Sequence, residues 1–249
     1  MNTTKNTNFS CNTKTNTCEP NNDSLPDNNT METVSSTSKL KIIYYYDALC
    51  GWCYGFSAVI AKLYEEFKNE IDIELISGGL FLGKRTGFIN DVAPYIKAGA
   101  YKSVELTTGT KFGEDFLSTL YGDGKMVLHS LPPSIALCIV KEKFPERQLK
   151  FGEMLLNAIY FDGLSADDME GLAQYALKIG VDKEEFMLKM QSEKYKKMAE
   201  KEFEIFSSST FGGMPTLVIE NPGNPIVLSN GYTSLDDLRL RLQSFLKSS

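Results

Sequence analysis

Two cysteines with two residues between them, Cys50-Gly51-Trp52-Cys53, are the part of this 249-residue chain best suited to chemistry. A thiol attacks a disulfide as its thiolate, and a free cysteine titrates at about 8.5, so a catalytic cysteine needs its anion stabilised. Unpaired N–H groups and the positive end of the macrodipole do this at a helix N-terminus. The flanking residues predict such a terminus. Lys41 to Tyr46, β-branched and aromatic throughout, reads as a strand buried on both faces. Phe56, Val59, Ile60, Leu63 and Phe67 then recur at helical spacing. Cys50 is therefore expected to be the attacking thiolate, and Cys53, one turn further in, the resolving thiol.

Several residues are placed to tune or serve the pair. Gly51 and Trp52 lie between the sulfurs. Asp47, three residues before Cys50, could exchange a proton with a buried thiol or repel it; its plainer reading is a strand-end carboxylate bonded to backbone. Met214-Pro215 stands at the start of a strand. A cis bond there would turn the chain and leave backbone groups free to pair with an extended polypeptide. Trp52 and Tyr54 read either as an apolar landing surface or as packing against the helical block, with Trp52 expected to be the more exposed. His129 could sit at the cleft as a proton carrier, although a lone histidine is more often structural. Cys138, among Ile135, Ala136, Leu137 and Ile139, reads as a small buried hydrophobe.

Cys-x-x-Cys is also half of a zinc site, but a closed site takes four ligands. The other candidates are Cys11, Cys18, Cys138 and His129, which offer no matching second pair. Beside a strand–helix unit the pair reads as redox, with no metal. No flavin or nicotinamide is expected, since the two sulfurs carry both electrons. Gly78-Gly79 and Gly87 do not compose a phosphate loop.

The elements that position these residues are legible as a pattern. A second strand is predicted from Ile71 to Ser77, followed by a helical block from about Lys84 to Ser208. Within it Ser130 is expected to cap a helix with proline in its first turn, and Ser165/Asp168 and Asp182/Glu185 have capping-box spacing. Phe151, Leu155 and Ile159 share one helix face. Short strands return at 216–219 and 226–228, and Ser234 with Asp237 opens a last helix carrying Leu235, Leu238, Leu242 and Phe245. The expected class is α/β, with residues 40–83 and 209–249 forming one domain interrupted by a helical insertion at 84–208.

Asn, Thr and Ser make up 23 of residues 1–39, too polar a stretch to offset the entropy of ordering its backbone, so a disordered leader is expected there. Cys11 and Cys18 read first as reduced cysteines in that tail. About 30 residues separate Cys18 from Cys50, a span long enough for Cys11 and Cys18 to exchange with the active pair as an internal shuttle or self-blocking substrate. The start has no basic, then apolar, secretory pattern, and five cysteines do not suggest a stapled scaffold. The expected compartment is the cytoplasm. With 26 Lys and Arg against 32 Asp and Glu, a net charge of −6 and no basic run, nucleic acid is not an expected partner. No stretch approaches the roughly 20 apolar residues of a membrane span.

Tyr46-Asp-Ala-Leu-Cys-Gly-Trp-Cys-Tyr-Gly55, the helical insert and Gly213-Met-Pro-Thr216 together resemble the DsbA-like branch of thioredoxin-fold disulfide oxidoreductases. More narrowly, they resemble the cytoplasmic subgroup related to FrnE and to protein-disulfide isomerases. The likeness spans about residues 40–247. It implies a thioredoxin-like fold with a large all-helical insertion, Cys50 as nucleophile, Cys53 as resolving cysteine, and Met214-Pro215 as a cis-proline loop that contacts substrate. The implied substrates are polypeptide thiols and disulfides, with a cellular thiol as electron donor or acceptor. Kappa-class glutathione transferases and their isomerase relatives share the architecture but keep serine where this chain has Cys50. Protease adaptors of the same fold can retain the pair while working by binding alone; they should still bind with both cysteines replaced.

Overall fold

The computed structural model describes residues 9–12, 17–20, 39–221 and 223–248. The expected leader lies outside the described residues except for two short antiparallel strands, β1 (Phe9–Asn12) and β2 (Thr17–Pro20). Their register sets Cys11 opposite Cys18. Residues from Lys39 onward form a separate unit, which holds the remaining elements.

That unit opens with β3 (Leu40–Tyr46), α1 (Gly51–Phe67) and β4 (Ile71–Ser77). Along α1 the buried positions Cys53, Phe56, Ile60, Leu63 and Phe67 fall three and four apart, so one face of the helix lies on the sheet. Burying each large apolar side chain there contributes about 1.5–3 kcal/mol.

The insertion follows. It begins with β5 (Gly87–Phe88), α2 (Ile89–Val92), α3 (Tyr101–Thr108) and α4 (Glu114–Tyr121), then β6 (Val127–Leu128). β5 and β6 pair antiparallel, a small ladder inside the stretch expected to be helical. Five helices complete it: α5 (Leu131–Lys143), α6 (Gln148–Tyr160), α7 (Met169–Lys178), α8 (Lys183–Met190) and α9 (Glu193–Ser207). Asp182 caps α8 through the Glu185 N–H, as expected. Two other caps differ from the sequence reading. α7 is capped by Asp168, which accepts from the Gly171 N–H, while Ser165 instead bonds Val127 and Asp167. Ser130 precedes α5 but makes no side-chain cap, because Pro132 and Pro133 occupy the positions whose N–H would donate to it.

The chain returns through β7 (Thr216–Ile219), β8 (Ile226–Asn230) and α10 (Leu235–Ser248). The sheet order is β4-β3-β7-β8, with β3 parallel to β4 and antiparallel to β7. Ile42, Tyr44 and Tyr46 of β3 point into the main core with α1, while Tyr45 joins Ile76, Val218, Phe206 and Phe211 on the opposite face. The outer edge of β4 is covered by the insertion: Gln148 accepts from the Leu75 N–H, Lys141 donates to the Leu75 carbonyl, and Glu202 accepts from the Ser77 N–H.

Candidate active site

The central strand delivers the chain to the head of α1, and the turn there is fixed by backbone: the Cys50 N–H donates to the Asp47 carbonyl at 3.0 Å. Cys50 is the N-cap of α1, with extended dihedrals of −95° and 108°. Its Sγ accepts the Cys53 N–H at 3.3 Å, so the sulfur takes the place a serine or aspartate oxygen fills at an ordinary cap. The helix terminus predicted from spacing is present, with a sulfur on its axis end. Cys50 is 5% exposed and Cys53 fully buried, and both are free thiols. Burial, the hydrogen bond to Cys50 and the charge on Cys50 push the Cys53 thiol well above its ordinary range; the Asp47 N–H pulls the other way.

Across from the pair lies the loop before β7, whose Met214–Pro215 bond is cis. The Cys50 thiol donates to the Met214 carbonyl at 3.6 Å. Gly78 makes the approach possible: a Cβ there would stand 2.2 Å from the Met214 sulfur. Gly55 plays the same part on α1, since its Cβ would lie 2.7 Å from Val104 and Thr108 of α3.

Asp47 is buried, and its carboxylate ties three segments together. Oδ1 accepts from the Leu49 N–H at 2.9 Å and the Ser130 hydroxyl at 3.1 Å, and Oδ2 accepts from the Leu80 N–H at 2.8 Å. Burial raises the Asp47 carboxyl, partly offset by those bonds. Ser130 in turn accepts the Phe81 N–H at 2.9 Å, and Tyr160 of α6 donates to the Leu49 carbonyl.

Aromatic side chains form the mouth and floor. Trp52 is 38% exposed and Tyr95 54%, whereas Tyr54 is buried, donating to the Lys111 carbonyl at 2.8 Å and packing on Phe112 and Tyr160. Of the two readings of Tyr54, the packing one describes its position. Gly51 and Trp52 also border a small apolar cavity of about 60 Å³ closed by Ile96, Tyr101, Val104 and Phe112. Tyr44, Tyr95 and Tyr160 are not singled out by the sequence, and Ser130 only as a helix cap. His129 has Asp167 as its electrostatic neighbour, and burial lowers its titration. Cys138 is buried 3.8 Å from a Glu202 oxygen, and burial pushes its thiol far up. Among the described residues, no group of three or more His, Cys, Asp or Glu is gathered to hold a metal ion, and no helix is long and apolar enough to cross a membrane.

A four-stranded mixed sheet with a helical insertion, and a Cys-x-x-Cys at the head of the first helix, give the chain a DsbA-like thioredoxin fold, and it is a disulfide oxidoreductase. Residues 129–243 match the DSBA-like thioredoxin domain. Among solved structures, the chain is similar to a candidate protein disulfide isomerase from Nitrosomonas europaea, at 22% identity and a TM-score of 0.74 over 84% of this chain and 98% of the other. It is similar to the cytosolic disulfide reductase DsbM from Pseudomonas aeruginosa, at 25% identity and a TM-score of 0.67 over 84% of this chain and 100% of that one. The fold extends to a 2-hydroxychromene-2-carboxylate isomerase, at 13% identity and a TM-score of 0.55 over 84% and 95% of the two chains. No curated protein sequence matches the chain.

Proposed function

We propose that the protein exchanges disulfides with polypeptide substrates, Cys50 acting as the nucleophile and Cys53 as the resolving thiol, within the cytoplasmic group related to FrnE and to disulfide isomerases. The observation that carries this is the position of the Cys50 sulfur. It caps α1 through the Cys53 N–H, lies at the surface edge of an otherwise buried pair, and touches the cis-proline loop. An anion on that sulfur meets the unpaired N–H groups of the helix end. Once the thiol has lost its proton it no longer donates to the Met214 carbonyl, which is then available to an extended substrate chain alongside the Met214-Pro215 turn. Trp52 and Tyr95 supply exposed aromatic surface for such a chain. Gly51 and Trp52 tune the pair from between the sulfurs, and Asp47 holds the approach to Cys50.

A cytoplasmic setting keeps the pair reduced, so the direction is reduction of substrate disulfides, with a cellular thiol restoring the dithiol. The similarity to DsbM, a cytosolic disulfide reductase, supports compartment and direction alike. Cys50→Ser is expected to abolish insulin reduction and refolding of scrambled ribonuclease. Cys53→Ser should accumulate a mixed disulfide on Cys50, visible by mass spectrometry. An active Cys50→Ser protein would refute the mechanism.

A further inference from the structure

Tyr44 is sealed in the core, and its hydroxyl has no hydrogen-bond partner of good geometry. Buried hydroxyls are seldom left so, because water would have satisfied them in the unfolded chain, and an exception calls for a cause. The hydroxyl has nowhere else to go. Tyr44 sits in the middle strand, in register with Leu75 on one side and Leu217 on the other. Its ring is flanked by Tyr46 at 5.7 Å and by Phe56, edge-on, at 6.1 Å. Phe56 lies on α1, three residues after Cys53, so the ring of Tyr44 packs against the start of that helix, and charge on Cys53, Cys50 and Tyr46 acts on its hydroxyl, Cys53 foremost.

We propose that Tyr44 is the hydrogen-bond donor to the Cys53 sulfur in the anionic state through which a mixed disulfide is resolved. This rests on Cys53 being the resolving thiol. In that step Cys53 gives up its proton, which passes to solvent, and its sulfur attacks Cys50 Sγ. The bond between Cys50 and the substrate breaks, and the electron pair leaves on the substrate sulfur, which takes a proton from solvent. The two cysteines together lose two electrons and the former substrate disulfide gains them.

Negative charge therefore appears on a sulfur with no solvent around it. The titratable groups facing Cys53 are Cys50 on its own helix, Asp47, Tyr44 and Tyr46 on β3 and its end, and Tyr160 on α6. None of them is a cation, so the anion depends on donors, and Tyr44 joins the Asp47 N–H in that part. Tyr44 keeps its own proton throughout, because burial and the two sulfurs push its ionisation well above the usual tyrosine range.

The test uses the chromogenic disulfide dithionitrobenzoate with the reduced full chain carrying Cys11→Ser and Cys18→Ser. Attack by Cys50 releases one coloured thiolate and resolution by Cys53 releases a second. Tyr44→Phe is expected to leave the first phase in place, slow the second about tenfold, the effect of losing a hydrogen bond to a charged group, and move its pH profile upward. A fluorinated tyrosine at position 44, a stronger donor in the same place, should speed the second phase, and it keeps the test open if the phenylalanine variant folds poorly. An unchanged second phase in both variants, or equal slowing of both phases, overturns the proposal. If the Cys11→Ser, Cys18→Ser parent itself shows no second phase that Cys53→Ser removes, it is the assignment of Cys53 that fails.

Discussion

With Pro132 and Pro133 supplying no N–H to its own helix, the Ser130 hydroxyl is free to serve the active-site loop. It accepts from Phe81 and donates to Asp47, fully buried in both bonds. Ser130→Ala strands the Phe81 N–H and should cost about 1–3 kcal/mol in urea unfolding. It also removes a donor that favours the charged carboxylate, so Asp47 rises further. An acid whose folded value lies above its unfolded one binds protons more readily when folded, and stability falls as pH rises through the window above the ordinary 3.8. The penalty of Ser130→Ala should therefore be larger at neutral pH and shrink on acidification toward that value. A penalty that is flat with pH would separate Ser130 from the ionisation of Asp47. Nothing in the sequence near either residue announces this bond, since 83 positions separate them, and the Tyr160 contact with Leu49 spans 111. The helix head at Cys50 and the turn at Met214-Pro215 are legible in the sequence because a strand, a helix period and a proline are all local signals.

Elements make the same division. β3, α1, β4, β7, β8 and α10 follow from alternation, helical period and caps within a few residues, whereas the covering of the β4 edge depends on side chains from three separate helices of the insertion. An open edge exposes unpaired backbone groups, and here Lys141 and Glu202 satisfy them while pairing with each other at 2.6 Å. Both side chains are mostly buried, at 14% and 9% exposure, so the pair is not an ordinary surface ion pair worth about 0.2–1 kcal/mol. Lys141→Met would leave the Glu202 charge without its cation and is expected to cost about 3 kcal/mol in urea unfolding. Lys141→Met with Glu202→Gln, which keeps an acceptor for Ser77 but no charge, should recover more than half of that. A single-variant loss below about 1 kcal/mol, or a double variant as unstable as the single, would show the pair to be incidental to the edge. The caps were misread where a hydroxyl had a distant partner: Ser130 is drawn to Asp47 and Ser165 to Val127, and no local spacing distinguishes such a serine from a true cap.

At the scale of the molecule, these bonds make the insertion part of the candidate active site rather than a lid laid over it. Ser130 ahead of α5 holds Asp47, Tyr160 of α6 holds Leu49, and α5 and α9 close β4. Beneath the first turn of α1, Tyr54 packs against Phe112 and Tyr160, and Phe116 of α4 meets the same ring of Tyr160 at 5.3 Å. Among the described residues, those from Lys39 onward form one unit, with the helices of the insertion inside it. Such coupling predicts a single cooperative transition. Trp52, the one tryptophan of the chain, reports on the head of α1 by fluorescence, while far-UV circular dichroism is dominated by the helices of the insertion. For the reduced protein both signals should trace one urea curve. Phe116→Ala, which removes a fully buried ring of the insertion, should lower stability by about 3–5 kcal/mol and shift both signals together. Helical signal lost at lower urea while the Trp52 signal holds would mean that the insertion melts on its own, and that the sheet and α1 keep the cysteines in place without it.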